Sequence, residues 1–154
     1  MKRLILTCIF IAITSFIPKK TVEMVVAMES ISISHIDVRS SNDSLLKALI
    51  YVESSNSDKA YNESEDAVGC LQIRRLMVRD INRILKLQGS KQKFKMRDRW
   101  DRDKSIQMFN IYCEHYNIIT NEDRARCWNG GPKGFKKRST DKYWKKVLYF
   151  LNNN

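Results

Sequence analysis

Leu45-Leu-Lys-Ala-Leu-Ile-Tyr-Val-Glu-Ser54 places apolar side chains at Leu45, Ala48, Leu49 and Val52. That is the i, i+3, i+4, i+7 spacing of a helix with one face in a core. Ser41, Asn42, Asp43 and Ser44 offer N-caps before it, and Ser54-Ser-Asn-Ser57 ends it. Glu53 follows Leu49 by one turn and Leu46 by two, so its carboxylate rides on the last turn, beside the buried stripe. Partial burial disfavours the ionised form of a carboxylate and raises its pKa, which suits a general acid. The plainer reading is a surface glutamate at a helix end, and this segment alone leaves both open.

The helix sits in a chain of 154 residues, enough for one domain with a real core. Apolar residues make up 43% and charged residues 29%, which excludes a disordered chain. Only 5 Gly and 2 Pro disfavour a turn-rich β fold. After a polar loop from Ser54 to Asp66 comes a second amphipathic helix, with Ile73, Met77, Ile81, Ile84 and Leu85 on one face, broken by Gln88-Gly-Ser90. Lys91 to Arg99 reads as a basic connector anchored by Phe94 and Met96. Asp101 or Asp103 caps a third helix to about Tyr116, with Ile106, Phe109, Tyr112, Cys113 and Tyr116 inward. Thr120-x-x-Asp123 has the form of a capping box for a fourth helix ending near Trp128. Asn129-Gly-Gly-Pro-Lys-Gly134 reads as a loop. Thr140 caps a last helix with Tyr143, Val147, Leu148 and Leu151 inward. No repeat and no strand alternation stand out, so the expected fold is a compact, mainly α domain over residues 42–154.

Residues 1–27 read as a separate segment. Lys2-Arg3, an apolar run from Leu4 to Ile17 and Val25-Val-Ala27 are the parts of a secretory signal cut after Ala27. The run is short for a membrane span, which needs about 20 residues. Lys19-Lys20 separates it from the cut site, so an uncleaved anchor is the runner-up. Cys8 falls in this segment, with no sign of a lipid attachment site. Residues 28–41 lack a clear period and form an N-terminal arm. The expected location is outside the cytoplasm, in the periplasm or cell envelope. The formal net charge of +11 draws such a protein to polyanions, whether wall polymer, anionic headgroups or nucleic acid. The cluster Lys133, Lys136, Lys137 and Arg138 is either a solvated face or part of that attraction.

Cys70, Cys113 and Cys127 allow one disulfide, Cys113–Cys127 closing a short loop, or three buried thiols. Together with His115 they match no metal-ligand spacing, so no metal or cofactor is expected. His35 and His115 read as structural or surface residues.

Four stretches then gain meaning together: Glu53-Ser54, Gly69-Cys-Leu-Gln-Ile73, Cys127-Trp-Asn-Gly-Gly131 and Tyr143-Trp-Lys-Lys-Val-Leu148. In this order and spacing they resemble the lytic transglycosylases of the soluble-transglycosylase type, which share the lysozyme-like fold with goose-type lysozymes. The resemblance covers about residues 44–150. The family shows a catalytic Glu-Ser at a helix end, a Gly-Leu-Met-Gln-like turn, a Tyr-Asn-x-Gly-like motif and a Tyr-Val-like motif. Here Cys70 and Leu71 replace Leu and Met, Trp128 replaces Tyr, and Trp144 replaces Val. Asp66 stands where Gly is common, which puts an extra carboxylate near the site.

The resemblance implies a peptidoglycan-cleaving enzyme with a lysozyme-like helical domain and Glu53 as the catalytic acid. Its substrate would be the β-1,4 bond between N-acetylmuramic acid and N-acetylglucosamine. Ordinary glycosidases pair the acid with a second carboxylate, about 5–5.5 Å away in retaining and about 6.5–9.5 Å away in inverting enzymes. The family dispenses with it: the substrate's N-acetyl group assists, the sugar's 6-hydroxyl attacks, and a 1,6-anhydro product forms without water. Ser54, Leu71, Gln72, Trp128, Asn129 and Tyr143 are then the substrate-binding candidates. Tyr143 would also orient Glu53. Plainer roles stay open: Ser54 as a helix-end cap, Gln72 satisfying a turn, Trp128 in the core, Asn129 shaping a turn, Tyr143 in the core. The expected partners are peptidoglycan glycan strands. Small enzymes of this kind open the wall for an envelope-spanning secretion or conjugation apparatus, remodel it or serve a phage, and the sequence leaves these open; nucleic acid is not expected. Two other readings remain. One is a water-using muramidase with Asp66 or Glu65 positioning the water. The other is a non-catalytic wall-binding or nucleic-acid-binding helical protein.

Overall fold

A computed structural model describes residues 44–153, all within one unit spanning Asn42–Asn154. The expected signal at 1–27, the arm at 28–41 and the caps Ser41, Asn42 and Asp43 lie outside the described residues. The described chain is mainly α, with five helices and one two-stranded sheet. Helix α1 covers 44–54, α2 Arg75–Leu87, α3 Arg102–His115, α4 Asn121–Gly130 and α5 Asp141–Asn153. Among the described residues no helix is long and apolar enough to cross a membrane.

The stripe on α1 is buried as its spacing requires: Leu45 and Leu49 are fully enclosed and Ala48 nearly so. It meets Val78, Ile81 and Ile84 of α2, Met108, Phe109 and Tyr112 of α3, Ala125 and Cys127 of α4, and Val147 of α5 in one core. Trp128 packs edge-on against Phe109, with ring centroids 5.2 Å apart, and against Tyr112 at 6.0 Å. Caps fix the helix starts. Asp101 accepts the Lys104 N–H at 3.1 Å before α3, and Thr120 Oγ1 accepts the Asp123 N–H at 3.1 Å before α4.

Several elements differ from the sequence reading. The polar loop after α1 contains a hairpin, Tyr61–Asn62 (β1) against Ala67–Val68 (β2), with Tyr61 opposite Val68. Two residues per strand are too few to display alternation. The basic connector coils into a 3-10 turn, Met96–Trp100, that buries Asp98 and Arg99. Helix α4 runs on through Asn129 and Gly130, because the Gly131 N–H still bonds to Cys127 O at 2.8 Å; it stops where Gly131 takes φ 84°. Thr140 ends a 3-10 turn and is buried, its hydroxyl 2.8 Å from Gly134 O and 2.7 Å from Lys137 O. Leu148 faces outward on α5, and Val147 beside it takes the core position.

Cys70, Cys113 and Cys127 are buried free thiols. Burial raises Cys113 to about 12, so it stays protonated and inert at neutral pH. Among the described residues no three His, Cys, Asp or Glu side chains gather to hold a metal ion.

Candidate active site

Helix α1 delivers Glu53 to the rim of the core, where the first turn of α5 brings Tyr143. The Tyr143 hydroxyl donates to Glu53 Oε1 at 2.6 Å, across 90 positions of sequence. Burial pushes the Glu53 carboxyl up to about 7; the Tyr143 hydrogen bond and the positive charge of Arg74 pull it down, and Glu65 pushes it up. The Tyr143 phenol is itself held well above its usual value by burial and by the neighbouring carboxylate, so it remains a donor. A carboxyl with a pKa of about 7 is half protonated at neutral pH and can both give and recover a proton there.

Glu53 opens on a groove of about 650 Å³ that also exposes Glu65, Gln72, Arg74, Trp128 and Asn129. The hairpin and its following turn supply one wall. Val68 bridges to Ile73, and the four residues between them form the turn, closed by Gln72 N–H to Gly69 O at 3.1 Å. Gln72 sits at φ 48°, in the left-handed region, and its amide nitrogen donates to Gly69 O at 3.0 Å and Ala60 O at 3.3 Å. Those bonds hold a conformation that a non-glycine residue adopts at a cost. The other wall is the end of α4. Trp128 is 9% exposed: its ring is mostly core, its edge lines the groove, and its indole N–H donates to Leu71 O at 3.2 Å. Asn129, in the last turn of α4, is exposed on the groove.

Two candidate positions are placed elsewhere. The Leu71 side chain is fully buried and contributes to the site only through the carbonyl that orients Trp128. The Ser54 hydroxyl donates to Ile50 O at 2.8 Å and accepts the Ser57 N–H at 3.2 Å, so it closes the end of α1 and does not line the groove. Glu53, Gln72, Trp128 and Asn129 do line one groove, and Tyr143 enters it through its bond to Glu53.

The two extra carboxylates separate clearly. Asp66, at φ 46°, is bound by Arg75 and lies 3.5 Å from the Arg99 guanidinium, and the Arg75 hydrogen bond holds its pKa down. It does not line the groove. Glu65 does, and it pairs with Arg74 at 2.6 Å. Glu65 was a candidate only for the water-using alternative, and Arg74 and Arg99 carried no local signal in the sequence. Arg99 donates to Asp66 O at 2.7 Å and Ile73 O at 3.0 Å, tying both ends of the hairpin segment to the 3-10 turn. From the basic cluster only Lys137 reaches the groove, where its ammonium donates to Gly130 O at 2.6 Å.

No protein-family model matches the sequence, and a search of curated proteins found no match either.

The Tyr143 bond yields a direct expectation. It stabilises the carboxylate, so Tyr143→Phe removes a pKa-lowering interaction and Glu53 moves further above about 7. Carbon-detected NMR titration of the Glu53 carboxyl should show this rise. An unchanged or lower midpoint means the hydroxyl is not held by Glu53 in solution.

Proposed function

We propose that this protein is an exported peptidoglycan lytic transglycosylase of the soluble-transglycosylase type, with a lysozyme-like domain. One observation supports the reading most: a sheltered carboxyl with a pKa of about 7, held by Tyr143 and opening on a groove that also carries Gln72, Trp128 and Asn129. These are residues from all four of the separated motifs that carry the resemblance. Chance similarity of short motifs does not require them to converge in space.

The proposed reaction uses one carboxyl twice. Protonated Glu53 gives its proton to the glycosidic oxygen as the bond from that oxygen to the muramic acid C1 breaks. Positive charge develops at C1, and the neighbouring N-acetyl group shares it. Glu53, now ionised, takes the proton of the 6-hydroxyl while that oxygen bonds to C1. The enzyme ends as it began, and a 1,6-anhydro ring closes without water. Tyr143 holds Glu53 in place and steadies its ionised form between the two transfers. A glycan strand lies along the groove, and the periplasm or cell envelope is the place where such a strand is met.

Glu65 favours a second outcome, because it lines the same groove and could position a water. Product masses after digestion of purified sacculi separate the readings. Muropeptides ending in the anhydro sugar are one water lighter and are the expected result. Reducing ends make the protein a muramidase. No release of muropeptides leaves a non-catalytic binding protein.

A further inference from the structure

Besides Glu53, the groove holds an ion pair that the proposed chemistry does not use. Arg74 Nη2 lies 2.6 Å from Glu65 Oε2, and the two side chains are 52% and 47% exposed. A pair this wet is worth about 0–1 kcal/mol, so a competing carboxylate can displace one partner cheaply. Arginine carries five N–H donors in a planar fork that fits a carboxylate with two parallel bonds. The bond to Glu65 engages a single nitrogen of that fork. Arg74 follows the Gly69–Ile73 turn directly and is close enough to Glu53 for its charge to act there. Lys137, the other cation on the groove, is bonded to Gly130 O. Arg75 faces Asp66 away from the groove.

Resting on the glycan-cleaving reading, we infer that Arg74 is a substrate-binding residue: it takes a carboxylate on the side arm of the muramic acid and is released from Glu65 as it does so. Muramic acid differs from glucosamine by a lactyl ether. Its carboxyl is either free or joined to a peptide that bears carboxylates of its own. A cation beside the acid gives the groove a way to tell the two sugars apart, and Arg74 stands on the groove with most of its fork uncommitted to Glu65. Glu65 is then the internal stand-in for the substrate's charge.

The test is equilibrium binding by the full chain in a Glu53→Gln background, read by tryptophan fluorescence, since Trp128 lines the groove. Cleavage is not needed for it, so failure of the enzymatic reading and failure of this one remain distinct. Three ligands are titrated: glycan chains with peptide stems, the same chains stripped by an amidase to a free lactyl carboxylate, and an N-acetylglucosamine oligomer. Arg74→Gln should weaken binding of a carboxylate-bearing chain by about tenfold or more and leave the glucosamine oligomer unchanged. Whichever muramyl ligand loses most tells whether the stem or the lactyl group supplies the charge. Glu65→Gln frees Arg74 and should tighten the same chain severalfold. Equal binding of all three ligands by Arg74→Gln and its parent overturns the assignment, as does an equal loss on all three. Weakening by Glu65→Gln also overturns it.

Discussion

Glu53→Gln should reduce release of muropeptides from sacculi by about a thousandfold or more while leaving a folded protein. A positioned general acid contributes roughly 10²–10⁴ to a rate, and here one group serves as acid and then base, so both transfers are lost. The same substitution should stabilise the protein at alkaline pH. The folded-state pKa of Glu53 is about 7, above the ordinary 4.5. Below the lower value the carboxyl is protonated in both folded and unfolded chains, and burial costs nothing extra. As pH rises between the two values the unfolded chain loses its proton and the folded one keeps it, so stability falls with pH. Above about 7 the whole difference is expressed, about 3 kcal/mol at 1.36 kcal/mol per unit. Glutamine has no such titration. Urea unfolding at pH 4 and pH 8 should therefore show the variant close to wild type at pH 4 and about 3 kcal/mol more stable at pH 8. The gain in stability with loss of activity is the signature of an acid held in an unfavourable place for its function. Retained cleavage in Glu53→Gln would remove Glu53 from the chemistry. A flat stability difference across the two pH values would mean that the carboxyl is not sheltered.

How much of this was readable in the chain depends on distance along it. Helix α1, its buried stripe and the position of Glu53 on its last turn followed from a period of 3.6 and a polar stop. The Asp101 and Thr120 caps were equally legible, because a cap bonds two or three residues away. The contact that makes a site, Tyr143 to Glu53, spans 90 positions, and no local pattern encodes it. It was anticipated through the family resemblance and not through periodicity. Gln72 and Asp66 take left-handed backbone without being glycine, so the hairpin they shape gave no turn signal of the usual kind. Arg99 looked like one more cation in a basic stretch. Its burial follows from the carbonyls it meets at Asp66 and Ile73, more than two dozen residues upstream. The Ser54 hydroxyl takes the plain role of closing a helix end, because a hydroxyl there finds the carbonyl four residues back before it finds a ligand.

The hairpin's dependence on one glycine gives the largest structural effect expected. Gly69 has φ 78°, and a Cβ built on it would stand 2.1 Å from Arg99 O. That carbonyl has little room to retreat, since it accepts the Ser105 hydroxyl at 3.1 Å and belongs to a residue whose guanidinium holds Asp66 O and Ile73 O. Gly69→Ala therefore combines left-handed strain of about 1–3 kcal/mol with a steric clash that costs about as much again. A loss of about 3–5 kcal/mol is expected, a large part of a small domain's stability. Gly89 is the matched control. Its φ is 70°, nearly the same, but nothing lies within 4 Å of its Cβ position, so Gly89→Ala should cost only the backbone strain, about 1–3 kcal/mol, with no clash added to it. The gap between the two variants isolates the close approach of the hairpin to the 3-10 turn, and urea midpoints at pH 6 measure it. Because Glu65 and Gln72 ride on this segment, glycan binding should weaken in Gly69→Ala under conditions where it remains folded, and stay intact in Gly89→Ala. Equal destabilisation by the two substitutions would mean that the turn does not press on Arg99, and that the wall of the groove opposite Trp128 is held by something other than this contact.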